Sequence, residues 1–181
     1  FHLTKILLII GLGFSLLTGG YLFYLAKTTN VKDLQNALKA TTIIYDKNGD
    51  QAGSLTGQKG TYVELDAISE NLQNAVVATE DRSFYKNSGI NYGRFFLAIL
   101  TLGRSGGGST ITQQLAKNAY LSQDQTVERK AKEFFLALEI NKKYSKKEIL
   151  TMYLNNAYFG NGVWGIEDAS KKYFGVSASQ L

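Results

Sequence analysis

The chain has 181 residues, 44% of them apolar and 19% charged, which suffices for one domain with a sizeable core and is too apolar for a disordered protein. It has no cysteine, which excludes a disulfide framework, a thiolate metal site and a cysteine nucleophile. Its single histidine, His2, lies beside the N-terminal apolar segment, so acid–base chemistry falls to carboxylates, tyrosines and lysines, and a net charge of +5 favours anionic partners: nucleic acid, anionic lipid or a phosphorylated substrate.

The uncharged run from Ile6 to Ala26 is long enough to cross a hydrocarbon core as a helix. Tyr21 and Tyr24 stand near its far end, where interfacial aromatics belong. A cleaved signal peptide is the alternative, weakened by the length of the run and by Gly19-Gly20 as a poor cleavage site. Residues 1–27 are read as a transmembrane anchor, and a start at Phe1 reads as a fragment of a longer chain. Residues 28–65 are read as a juxtamembrane connector with a small β element. KTTNVKDLQNALKA is polar with a weak helical period, and TTIIYDKNGDQAGSL offers two extended runs around Asn48-Gly49, a strong hairpin signal.

From Asp66 onward the pattern is helical. Leu72, Ala75, Val76 and Thr79 keep the spacing of one helical face leading to Glu80. The next helix is expected over 92–102, with Phe95, Phe96, Ile99 and Leu100 on its apolar side. Thr110 and Gln113 have capping-box spacing and open another. Thr126 opens a long helix whose expected core stripe is Val127, Ala131, Phe134 and Leu138. Ser145 and Glu148 form a second capping box, with Gly160 or Gly162 expected to end that element. A last helix is expected from Trp164 to Phe174, closed by Gly175. The sum is a membrane helix carrying a mostly α domain with a small β appendage.

The stretch GRSGGGSTITQQLAKN, from Gly103 to Asn118, raises the question of phosphate. Its spacing approaches a nucleotide-binding P-loop, but Ser109 stands where that loop needs lysine, which weakens the nucleotide reading. Glu80 and Asp81 sit at the end of an apolar helix before an aromatic turn. Glu133 follows Arg129 by four residues and Lys130 by three, so all three share one helical face. A surface ion-pair ladder is the commonest explanation for such charges. Gln113, Gln114, Lys117 and Asn118 add amides and an ammonium along a helix whose N-terminal N–H groups favour an anion. With Arg129 and Lys130 they form a cationic clamp suited to a diphosphate leaving group, which needs no general acid, while a carboxylate serves as base. That combination is the economy of an inverting glycosyl transfer from a sugar diphosphate.

ATEDRSFYKNSGIN, GRSGGGSTITQQLAKN, RKAKEFFLALEI and KKEILTMYLNNAYFGNGVWG resemble, in order, four motifs of the peptidoglycan glycosyltransferases, the lipid II polymerases of class A penicillin-binding proteins and monofunctional transglycosylases. The resemblance runs from about Asp66 to Leu181 and implies a lysozyme-like α fold. It implies that Glu80 is the catalytic base toward the 4-hydroxyl of the acceptor N-acetylglucosamine, and that Glu133 is a second essential carboxylate. Asp81 and Phe84 belong with Glu80 in the substrate site, in support. Ser109, Thr110, Gln113, Gln114, Lys117 and Asn118 match the donor-side motif. Arg129 and Lys130 match the pair that binds the donor diphosphate. Asn155, Tyr158, Phe159 and Gly160 match a more structural fourth motif, with Tyr158 counted at the substrate site.

The resemblance also implies lipid II and the growing undecaprenyl-diphosphate-linked glycan as substrates, with membrane lipid and other cell-wall synthesis proteins as partners and no nucleic acid. It implies a single-pass bacterial membrane protein with its catalytic domain outside the cytoplasm. No cofactor is required, with Mg2+ or Mn2+ near Glu133 as an optional bridge to the diphosphate. The chain departs from the motif at Asn87, where the family usually has histidine; asparagine hydrogen-bonds but does not titrate. It also stops at Leu181, short of further family helices, so 66–181 reads as a truncated glycosyltransferase domain. A lysozyme-like hydrolase and a non-catalytic membrane-anchored glycan-binding module stay open as alternatives. The clamp argues against the first, since a hydrolase has no use for it. Ser83 to Lys86 fits S-x-x-K, but no S-D-N or K-T-G follows, and the match reads as chance.

Overall fold

The computed structural model describes residues 2–28, 31, 34, 41–56, 59–101, 108–121 and 126–181. Residues 35–40 of the connector and 103–107 of the glycine-rich stretch therefore lie outside the described residues. Seven α-helices are described: α1 His2–Thr28, α2 Glu70–Glu80, α3 Tyr92–Leu100, α4 Ile111–Tyr120, α5 Val127–Lys143, α6 Lys146–Asn156 and α7 Ile166–Phe174. Strands β1 Thr41–Tyr45 and β2 Gln51–Thr56 form an antiparallel hairpin, with Thr41 opposite Thr56 and a bulge between Ile44 and Tyr45. Its turn follows from local chemistry. The Asp46 carboxylate accepts from Asn48 N (2.8 Å) and Asp50 N (3.0 Å), and Gly49 takes a φ of +88°.

The helix starts follow from their caps. Thr110 and Gln113 bond reciprocally, as do Ser145 and Glu148, and the Ser69 and Thr126 hydroxyls each accept one orphan N–H. Around these starts α4 packs on α5 and α6, and α7 packs on α6. One core cluster unites Phe84, Ile111, Leu115, Ile140, Leu150 and Leu154. Burying a side chain such as Phe84 contributes about 1.5–3 kcal/mol. Val31, Leu34 and Leu65 join the same cluster, and Leu34 N donates to the Tyr144 hydroxyl at 3.0 Å. These three residues of the segment read as connector thus pack with the core of 66–181.

Several expected faces are rotated. On α5 the buried residues are Glu133, Leu136, Ala137 and Ile140, whereas Val127 is 89% exposed and Ala131, Phe134 and Leu138 are only half-buried. The inward face carries a carboxylate, so hydropathy alone points to the wrong stripe. On α2 the core residue is Val77, with Leu72 and Val76 packed against the cluster, while Ala75 and Thr79 stay exposed along a cleft. On α3 Phe95 stacks on Phe134 at 5.0 Å, but Phe96 and Leu100 face outward. α6 ends at Asn156, before Gly160 and Gly162, because Ala157 turns extended and lets Tyr158 bridge to Trp164. That bridge holds Trp164 outside α7, which begins at Ile166 and is closed by Gly175 in the left-handed conformation.

α1 runs 27 residues, about 40 Å at 1.5 Å per residue. It contacts α5, and Leu22 reaches an apolar cavity of about 350 Å3 lined by Phe95, Val127, Ala131, Phe134 and Phe135. Among the described residues no helix is long and apolar enough to cross a membrane.

Candidate active site

Glu80 is the last residue of α2, half-buried at an open cavity of about 220 Å3 that Ala75, Val76, Thr79, Tyr153 and Phe159 also line. The helix ends there because Asp81 leaves helical geometry, its N–H still reaching Val77 O. Gln114, on α4, donates its amide N–H to Glu80 Oε2 at 2.8 Å. The Tyr153 hydroxyl, on α6, donates to Gln114 Oε1 at 3.1 Å. Burial, and secondarily the charge of Glu80, push the Tyr153 phenol well above its ordinary value, so it stays protonated. Three helices therefore converge on one carboxylate at a solvent-accessible cleft. Tyr153 carried no signal in the sequence beyond its place in an apolar helix.

Asp81 turns the other way. It is buried and accepts from Ser83 Oγ (2.9 Å), Asn87 Nδ2 (2.9 Å) and Ile111 N (3.3 Å). The anion at the N-terminus of α4 is thus the protein's own Asp81, which corrects the expectation that those N–H groups face a substrate phosphate. Phe84 is fully buried like Asp81, so neither side chain is exposed at the cleft. Asn87 does the work of a four-way tie. It donates to Asp81 and Ser83, and its oxygen accepts from Gly89 N (2.9 Å) and Lys146 Nζ (3.1 Å). Lys146 lies 4.7 Å over the Phe84 ring, and burial lowers its pKa against the opposing pull of Asp81. Ser83 Oγ is held by Asp81 and by Asn91 (2.9 Å).

The second cluster lies between α4 and α5. Glu133 is 1% exposed; Oε2 accepts from Arg129 Nη1 at 2.7 Å and Oε1 accepts from Lys130 Nζ. Lys130 Nζ also donates to Ser109 Oγ at 2.8 Å, tying the end of the glycine-rich stretch to α5. The Arg129 side chain is 14% exposed and the Lys130 side chain 40%, so the carboxylate is sealed while the cations reach solvent. Lys117 stands half-buried on the last turn of α4 and Asn118 is exposed beside it. Thr110 and Gln113 are not available to a ligand. Both are buried, Thr110 Oγ1 donates to Gly89 O (2.6 Å), and Gln113 Oε1 accepts from Thr110 N (3.0 Å).

The fourth motif divides in two. Asn155 is buried, accepting from Val63 N and donating to Val63 O and Thr151 O, each at 2.8 Å, and so pins the 61–64 segment to α6. Tyr158 is exposed and stacks on Trp164 at 4.8 Å; Phe159, not Tyr158, lines the cleft with Glu80.

The surroundings of Glu133 do not suit a metal held by the protein. Both its oxygens already accept from cations, and no three His, Cys, Asp or Glu cluster as ligands among the described residues. Chemically, the two clusters offer a carboxylate oriented by an amide at a cleft and a cationic surface backed by a buried anion. Counting Arg129 and Lys130 against Glu133, this cluster carries a net +1.

Known proteins resemble this chain over most of its length. A family profile described as Transglycosylase matches residues 48–181. The chain is 80% identical to penicillin-binding protein 2a of Streptococcus pneumoniae over 181 residues, all of this chain and 25% of that protein. It is 44% identical to penicillin-binding protein 1A of Aquifex aeolicus over 142 residues, 76% of this chain and 20% of that protein. It is 43% identical to penicillin-binding protein 1F of Bacillus subtilis over 148 residues, 80% of this chain and 21% of that protein. The chain spans about a quarter of the length of the curated relatives it matches.

Proposed function

Since the chain belongs to the transglycosylase family, we infer that it polymerises the lipid-linked disaccharide of peptidoglycan, lipid II, in cell-wall synthesis. The observation that carries this reading is the pairing of one cleft carboxylate, Glu80, with a separate net-cationic cluster in which Arg129 and Lys130 share Glu133. Glu80 takes the proton of the acceptor 4-hydroxyl as its oxygen attacks C1 of the donor sugar. The C1–O bond to the diphosphate breaks, and undecaprenyl diphosphate leaves with both electrons of that bond. Charge building on the leaving oxygens is met by Arg129 and Lys130, with Lys117 as a third cation in this reading. Buried Glu133 keeps Arg129 and Lys130 at fixed positions, so little reorganisation is needed as that charge develops.

We also propose that α1 anchors the chain in the bacterial cell membrane, with the catalytic cleft on the extracytoplasmic side. Support comes from outward-facing Ile9, Leu12, Phe14, Leu17 and Phe23, apolar side chains that lipid would cover. Val127, Phe96 and Leu100 also face outward near the apolar cavity, as surface close to a lipid tail would.

Incubating the membrane-embedded chain with radiolabelled lipid II separates the readings. A glycan polymer is the expected product. Cleaved glycan would instead establish a hydrolase, and bound but unchanged lipid II a binding module.

A further inference from the structure

Glu80 occupies the C-terminal end of α2, where the helix dipole disfavours negative charge. Its orientation there depends on a donor from outside that helix, and the donor is the Gln114 amide at 2.8 Å. An amide is ambivalent, because it can present either its oxygen or its N–H to a neighbour. With the oxygen turned to Glu80, two acceptors would face each other and the carboxylate would be pushed aside. An ionised carboxylate only accepts, so it draws the NH2 group, and what locks that arrangement from the other side is the Tyr153 hydroxyl. It is buried, stays protonated, and donates to Gln114 Oε1 at 3.1 Å, which leaves the NH2 group to Glu80. The three groups come from α2, α4 and α6, so the relay also fixes these helices relative to one another at the cleft.

We infer that Tyr153 is a positioning residue for the transfer reaction, setting the Gln114 amide so that it holds Glu80 in the orientation that takes the acceptor proton. The inference rests on Glu80 being the base. Tyr153 does not touch the reacting atoms in this scheme, and all of its effect passes through Gln114.

The test is a double-mutant cycle of Tyr153→Phe and Gln114→Ala on the full chain in membranes, with lipid II as donor. It is read at a temperature below the unfolding midpoint of all four proteins. Phenylalanine keeps the ring in the core and removes only the hydroxyl. Tyr153→Phe alone is expected to lower kcat about 5- to 10-fold with KM within about 2-fold, the signature of a lost orienting bond. In the Gln114→Ala background the same substitution is expected to change kcat by less than about 2-fold. An equal loss in both backgrounds would show that Tyr153 acts by packing and would overturn the inference, as would an unchanged kcat in the single variant. Glu80→Gln, measured alongside, separates the two levels. If it abolishes turnover while the cycle is additive, only the relay is wrong; if it retains turnover, the base assignment fails and the relay with it.

Discussion

Removing Arg129 and removing Lys130 should have unequal consequences, because the two cations share one sealed carboxylate from different depths. In Arg129→Ala, Glu133 stays 1% exposed and loses the partner that is itself only 14% exposed. Removing one partner of a buried pair costs about 3–5 kcal/mol when nothing compensates. Lys130 still compensates part of the charge here, so a loss of about 2–3 kcal/mol is expected. Lys130 is 40% exposed, so its attraction to Glu133 is screened by water, and Lys130→Ala should cost about 1 kcal/mol or less. For a chain of this size those figures correspond to falls in Tm of about 5–10 °C and about 2–4 °C. Thermal unfolding followed by circular dichroism in detergent reads both. The functional order should be less uneven, since the proposed transfer uses both cations at the diphosphate and each loss should raise the KM for lipid II. Equal falls in Tm, or a larger one for Lys130→Ala, would refute the picture of a buried anion held chiefly by Arg129.

Ser109→Ala removes the second tether of Lys130 and should raise the KM for lipid II several-fold with Tm unchanged, as steady-state kinetics and calorimetry would show. Gly89→Ala should lower stability by about 2 kcal/mol or more in a denaturant titration, because φ is +94° and the added Cβ would meet Ala137 O at 2.5 Å. Glu167 is held below its ordinary pKa of 4.5, first by Lys171 and also by Ala178 N and Ser177. It therefore contributes stability that is complete above pH 4.5 and is lost as pH falls through the lower folded-state value. Glu167→Gln should flatten the fall in Tm below pH 4.5 in a pH series. Deleting residues 1–27 should weaken polymerisation of membrane-embedded lipid II while leaving the Glu80 and Glu133 clusters intact; unchanged activity would refute an anchoring role for α1.

What the sequence made legible was largely local. Capping boxes at Thr110/Gln113 and Ser145/Glu148, and the turn at Asn48-Gly49, are short-range hydrogen-bond patterns that carry their geometry with them. The approach of Glu133 to Arg129 and Lys130 was legible for the same reason, being one helical turn. The phase of α5 was not, since its buried face is marked by a carboxylate and its exposed face by Val127. Groups separated by tens of residues were also out of reach. The Glu80–Gln114–Tyr153 relay joins three helices, and Asn87 meets Lys146 only because the turn after α2 folds against α6. Thr110 and Gln113 show the opposite limit, for their bonding capacity is spent on the cap that the sequence so clearly signals.

The central claim is that Glu80 acts as base while a separate cationic cluster binds the donor. Glu80→Gln keeps the shape of the side chain and removes its ability to accept a proton, so single-turnover transfer and donor affinity should part company. Transfer is expected to fall by about 100-fold or more, with the dissociation constant for lipid II within about 3-fold of wild type. Transfer at near the wild-type rate, or a loss that lies wholly in donor binding, would contradict it.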